Sequence, residues 1–265
     1  MEAVTGNGFR RGSDAARLLS RLRINMSVRA TDWLKFQFQG QDARAFGQIP
    51  KPLAPPFQET TALRVAYVEA GDSEKKMLGL RIGRHEFLPG DQRLVGNTNW
   101  QNVPRIFDAV RLTIRRNGYR IDSFASNVVQ PVNGEFDRPF RHKADNFHGN
   151  YGGLEKLVPN AVVEPHVFWR VTRGLLTEFS RPGNRDFKAI GVRWSGRLTS
   201  NTDYGVEMAG QRGTLGTDRI SAWAGHWLLG YSLWPPNRQR GALLEHLWPH
   251  KEHRARAAAS DRKLT

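Results

Sequence analysis

From Arg21 to Ala30 the chain reads R-L-R-I-N-M-S-V-R-A, and this alternation restricts the fold more than any other feature. Leu22, Ile24, Met26 and Val28 fall on one face, and Arg21, Arg23, Asn25, Ser27 and Arg29 on the other. A period of two belongs to a β-strand with one apolar and one strongly polar face; a helix would spread both sets around its circumference. After a turn at Thr31-Asp32 the pattern resumes with Leu34, Phe36 and Phe38 against Lys35, Gln37 and Gln39. It returns around Leu80 and Arg81, Val110 and Arg111, Val163 and Glu164, Val192 and Arg193, and Val206 and Glu207. Four further segments, Thr61 to Ala70, Tyr119 to Gln130, Phe147 to Lys156 and Arg219 to Tyr231, fit strands whose two faces are not cleanly phased. The total is about eleven strands of the length a barrel needs. The one helical hint is the Ala/Leu/Arg stretch near Asp14 to Ser20.

The connections alternate in length. Short turns fall at Thr31-Asp32, Gly71 to Lys75, Arg116-Asn117-Gly118, Leu157 to Asn160 and Leu198 to Asn201. Long polar loops fall at Arg44 to Glu59, Phe87 to Pro104, Pro131 to Asn146 and Gly174 to Arg185, with a shorter one at Arg212 to Asp218. In an up-and-down meander this places all short turns at one end and all long loops at the other, as in outer-membrane barrels. A soluble β-sandwich also alternates, but nothing in a Greek-key path requires such a rhythm. The polar face carries Arg beside Gly and Gln, as a wet lumen tolerates. Aromatic residues (Trp33, Tyr119, Trp169, Trp194, Tyr204, Tyr231) cluster toward strand ends, as interfacial girdles do.

Composition narrows the function. Across 265 residues, 40 Lys and Arg against 25 Asp and Glu give a net charge of +15, so an anionic partner is expected. Arg spread over nearly every strand argues against a single nucleic-acid patch. The 8 Trp, 14 Phe and 5 Tyr are too many for a chain with nothing to bury, and the absence of Cys excludes disulfides and thiolate chemistry. No apolar run is long enough for a transmembrane helix, which leaves a membrane β-barrel open. The basic stretch Arg10 to Arg23 leads into no apolar core and no cleavage site, so the first thirty residues do not read as a secretory leader. Enzyme signatures are missing: there is no Gly-x-Ser-x-Gly, Walker loop or Rossmann fingerprint. His142, Asp145 and His148, and separately His246, His250 and His253, have metal-ligand residue types but lack a spacing that would converge them. No catalytic residue, metal or cofactor is assigned.

Several segments, taken in order, resemble one family. They include Leu80-Arg81-Ile82-Gly83-Arg84-His85-Glu86-Phe87, then Gly90-Asp91-Gln92-Arg93-Leu94-Val95-Gly96, Trp100-Gln101-Asn102 and Arg105 to Arg111. Thr31 to Leu34, Gln39 to Arg44, Leu63 to Glu69, Phe147 to Gly153 and Gly191 to Trp194 add to the pattern. Together they resemble the alginate export family of outer-membrane porins, over roughly Arg21 to Tyr231. The resemblance implies an all-β, antiparallel up-and-down transmembrane barrel of about 18 strands in a Gram-negative outer membrane. It also implies passage of an anionic solute, foremost an acidic polysaccharide such as alginate, with outer-membrane lipid around the barrel and periplasmic export proteins as further partners. The alternative reading is a soluble basic β-protein that binds acidic polysaccharide or nucleic acid, or a non-functional barrel fragment.

The resulting domain expectation is a loop or short helix over residues 1–20, a partial barrel over 21–233 and a basic non-barrel tail over 234–265. Beyond Pro236 seven basic residues face three acidic ones, so the tail carries part of the net charge. Beginning in what would be a long loop and ending after about eleven strands, the chain reads as the middle of a larger barrel. The expected solute-binding residues are Arg21, Arg23, Lys35, Arg81, Arg93, Arg111, Arg193 and Arg197, with Arg29 and Arg115 also on polar faces. Rings of such residues select anions in a confined pore, and Arg grips a carboxylate with both arms of its planar fork. Glu164, Glu207 and Asp122 are expected to hold some of these Arg extended. The loop Phe87 to Pro104 is the expected constriction.

Overall fold

The computed structural model describes residues 2–4, 15–47, 54–135, 145–176 and 182–233. They form strands β1 (Glu2–Val4), β2 (Ala15–Thr31), β3 (Leu34–Gly47), β4 (Glu59–Gly71), β5 (Leu78–His85) and β6 (Phe107–Arg116). The path continues through β7 (Tyr119–Val128), β8 (Asp145–Leu154), β9 (Ala161–Leu176), β10 (Pro182–Thr199), β11 (Thr202–Leu215) and β12 (Asp218–Tyr231). All twelve make one sheet in sequence order, each antiparallel to its predecessor. The architecture is the up-and-down meander of an outer-membrane barrel.

The two faces are inverted relative to a soluble protein. Leu22 is 62% exposed and Trp223 is 74% exposed, and Ile24, Met26, Ile190, Trp227 and Leu229 lie open on the same outer face. Asp122 is 2% exposed and Arg193 is 7% exposed, and Arg64, Glu69, Asp145 and Glu164 are buried with them on the inner face. A soluble sheet would bury the first set and wet the second, so this arrangement needs lipid outside and water or ion pairs inside. On β12 the outer residues Trp223, Trp227, Leu229 and Tyr231 fall within about nine residues of strand, in the range of a tilted transmembrane strand. Trp169 marks the upper interface: its indole donates to Asp186 at 2.7 Å and the Lys188 ammonium lies 5.5 Å from its ring.

Chain contacts show that the wall curls. Asn99 bonds Arg23 of β2, while Val95 lines a cavity with Phe187 and Ala189 of β10. Those strands are eight sheet steps apart, about 38 Å along a flat sheet at ~4.8 Å per step. Residues 95 and 99 can span only about 14 Å. Even with the side chains added, the sheet must bend round to bring β2 and β10 toward each other.

The strands outrun several sequence expectations. The stretch expected as loop or helix up to residue 20 is strand from Ala15, where Leu18 pairs with Phe46; helix propensity yields there to the ladder. The short β1 also pairs with β2 and was not anticipated. The loops expected at Arg44 to Glu59, Gly174 to Arg185 and Arg212 to Asp218 are shortened, because β3, β9, β10 and β11 run into them. Strand that projects beyond the membrane needs no apolar face, so its sequence resembles loop. Trp194 and Tyr204 face outward and meet edge to face toward the short-turn end, with ring centroids 6.0 Å apart. The expected tail over 234–265, with His246, His250 and His253, and also His142, lie outside the described residues.

Candidate functional site

The connection between β5 and β6, residues 86–106, supplies the centre of the site. It turns inward and is held against the inner wall at both sides. Arg21 donates to the carbonyls of Asn99 at 3.3 Å and Gln101 at 2.8 Å, and Arg23 donates to the Asn99 side chain at 3.1 Å. The Asn102 amide donates to the carbonyls of Phe57 at 2.7 Å and Arg44 at 3.1 Å. Across the lumen Arg193 donates to Asp91 at 2.7 Å. Gly90 is pressed to the wall there: at φ +53 an added Cβ would lie 2.7 Å from the Tyr151 hydroxyl. Glu86 accepts from Arg64 and from Asn97, fixing the stem of the loop.

Below the loop the inner wall is a ladder of charge pairs set by strand register. Arg81 bonds Glu69 at 3.0 Å, and its guanidinium lies over the Tyr67 ring at 4.4 Å. Arg111 donates to Asp122 at 2.8 Å, and Arg120 meets the other Asp122 oxygen at 3.2 Å. Arg193 pairs with Glu164 as well as Asp91. The expected role of Asp122 and Glu164 in holding Arg side chains is thus visible in the geometry, whereas one carboxylate oxygen of Glu207 is buried without a hydrogen bond.

The residues expected to bind solute therefore divide. Arg81, Arg111 and Arg193 spend their charge on wall carboxylates. Arg197 stands at the short-turn rim, half exposed and paired with Asp203 at 3.1 Å, and Arg115 meets Glu155 at 4.0 Å near the same end. Arg93 is exposed on the inward loop. Arg21, Arg23, Arg29 and Lys35 have no carboxylate within ion-pair distance among the described residues. Lys35 and Arg29 line a polar recess at the short-turn end with Glu69 and Lys75. Of the triad of metal-ligand types, Asp145 is taken by Arg170 and Thr172 on the inner face, while His148 packs beside Trp169 on the outer.

Sequence reasoning missed an aromatic lining. Phe87, Phe107, Phe124, Phe147 and Phe168 are buried together on the inner face, with Phe124 and Phe147 ring centroids 5.2 Å apart. It also missed Arg105, Arg170 and Arg185 at the long-loop end. Arg170 was in phase with the polar face of its strand but was not singled out, Arg185 fell in an expected loop, and Arg105 lies in the β5–β6 connection, where no strand phase exists.

The alginate export family profile matches residues 3–242. The chain belongs to the alginate export family. As a member of that family, with a wall that is apolar outside and charged inside, it is part of an outer-membrane pore and points to a channel rather than an enzyme. Among solved structures, OmpF of Salmonella typhi in complex with daunomycin is similar at 10% identity, over 85% of this chain and 86% of that one, with a TM-score of 0.37. A search of curated proteins found no match.

Proposed function

We propose that this member of the alginate export family forms a pore for anionic solutes, with the inward loop as its constriction and unpaired cations as its selectivity element. The observation that carries the reading is the imbalance of charge around the loop. Most wall Arg are neutralised by Asp or Glu, whereas Arg21 and Arg23 face loop carbonyls and amides instead. In a narrow, poorly solvated passage such residual positive charge favours anion entry and opposes cations. Arg93 and Lys35 add to it at other depths. Family membership favours an acidic polysaccharide such as alginate, whose uronate carboxylates match the guanidinium fork.

The test is electrical. The purified chain, refolded in detergent and inserted into planar bilayers under a KCl gradient, is expected to give a reversal potential of anion-selective sign. Selectivity for cations would overturn the assignment of Arg21 and Arg23, and absence of conductance would overturn the pore.

A further inference from the structure

A cavity of about 80 Å³ lies at the long-loop end of the lumen, between the inward loop and the wall formed by β6 to β11. Its body is apolar: Leu94 and Val95 come from the loop, and Phe107, Phe147, Phe168 and Phe187 from the wall. Its rim is cationic, with Arg105 and Arg170 both lining it. Arg170 is committed to Asp145 through two hydrogen bonds, at 2.9 Å and 2.6 Å, and the Thr172 hydroxyl donates to the same carboxylate.

Arg105 and Arg185 are left over. Both feel the charges of Arg170 and Asp145, and neither side chain has a hydrogen-bonded acceptor among the described residues. The Arg185 Nε is buried without a partner, beside Thr172 in the β9–β10 register. Arg105 thus lines the aromatic hollow, Arg170 holds Asp145 at its rim, and Arg185 stands on the same inner face beside Thr172, two residues before the lining Phe187. A buried unpaired N–H donor is costly, and an entering anion would relieve that cost.

We propose that this corner binds amphipathic monocarboxylates, small anions with one carboxylate head and an aryl or alkyl body. The head meets Arg105 and Arg185, and the body enters the Phe-lined hollow. A sugar unit fits the same place poorly. Its several hydroxyls would lose water against Phe and Val, with the Gln211 amide as the polar alternative. The proposal rests on the anion-pore reading for its access route, and goes beyond it by naming a second solute class and a second place in the lumen.

Calorimetric titration of the refolded full chain with benzoate, benzamide, acetate and glucuronate tests this. Benzoate is expected to bind at least roughly tenfold more tightly than each of the other three, which lack either the charge, the ring or an apolar body. Arg105→Gln and Arg185→Gln are each expected to weaken benzoate by roughly tenfold, the loss of one charge-assisted contact. Ala189→Leu, which fills the hollow, is expected to abolish the benzoate preference. Arg116→Gln, on the outer face at the short-turn end, controls for lost charge alone, and heat-modifiable gel mobility reports folding of each variant. Glucuronate binding as tightly as benzoate, or full benzoate affinity in folded Ala189→Leu, would overturn the proposal. The bilayer measurement keeps the two readings apart: anion-selective conductance without benzoate preference sinks this site and leaves the pore. Benzoate preference without conductance supports the site and sinks the pore.

Discussion

Asp91 of the inward loop and Arg193 of β10 stand 102 residues apart in the chain and are joined at 2.7 Å. Arg193 also holds Glu164, so a single guanidinium fixes both the wall and the loop that crosses in front of it. Asp91→Ala frees one side of the loop while leaving the wall pair in place. A charge-assisted hydrogen bond of this kind contributes on the order of 1.5–3 kcal/mol, enough to shift a tethered loop toward release by about tenfold or more. Larger and noisier single-channel currents are expected from Asp91→Ala in planar bilayers. Unchanged current would show that the loop does not narrow the path.

Arg193→Met acts differently. It leaves the buried Glu164 with Arg120 alone, 3.8 Å away, and breaks the loop tether at once. Removing the nearer partner of a buried carboxylate costs up to roughly 3–5 kcal/mol. The transition temperature for heat-modified gel mobility is expected to fall well below that of Asp91→Ala, and equal temperatures would contradict the double role.

Selectivity is expected to follow unpaired charge rather than total charge. Arg23→Gln removes a cation that faces Gln41 and Asn99, and is expected to reduce anion preference. The double change Arg81→Gln with Glu69→Gln removes a bonded pair and is expected to leave the reversal potential near that of the unaltered protein. A larger shift from the double variant than from Arg23→Gln would reverse the assignment.

Arg84 and Asp108 form a two-pronged pair, at 2.8 Å and 3.0 Å, on the outer-facing side of β5 and β6 where the inward loop departs. Arg84 is 0% exposed and Asp108 3% exposed, and Arg84 also donates to the Leu63 carbonyl at 2.9 Å. Asp108→Ala is expected to cost about 3–5 kcal/mol, read as a lowered unfolding midpoint in urea titrations of the lipid-reconstituted protein. A loss under ~1 kcal/mol, the range of an exposed pair, would mean the pair is wet.

The inversion of faces predicts opposite outcomes for neighbouring positions on one strand. Val192 points outward in mid-wall, opposite Met208 and Pro165, whereas Ser195 points inward. Val192→Arg is expected to cost roughly 2–4 kcal/mol in a bilayer, and Ser195→Arg close to nothing. Refolding yields into lipid vesicles compare the two directly.

How far the sequence could be read depended on which residues fell on the inner face. Where that face held Arg, Gln and Ser, as from Arg21 to Arg29, strand, phase and orientation were all legible. Around Tyr119 to Gln130 and Phe147 to Lys156 the phase was lost, because Phe124 and Phe147 turn into the lumen and erase the contrast between faces. The strand extensions at Ala15, Gly47 and Leu215 were hidden for a related reason: beyond the bilayer neither face must be apolar. The inward loop was legible as a long polar connection, but its partners were not. Asp91 meets Arg193 and Asn99 meets Arg23 only because the sheet curls, and curling leaves no local trace in the chain. The division of the Arg residues into paired and unpaired was equally hidden, since it depends on cross-strand register rather than on spacing along the chain.

The opposition of faces has a consequence for how such a wall is assembled. Shifting any strand by one residue would exchange its two faces, sending groups such as Arg111 and Asp122 into hydrocarbon and Val110 and Ile121 into the lumen. A soluble sheet in the wrong register can persist as a kinetic trap, whereas here the lipid itself penalises a slip of any strand whose inner face is charged, as on β6, β7, β9 and β10. On those strands the membrane serves as the proofreader of pairing, and the inner-face Arg residues mark the strand for correct placement.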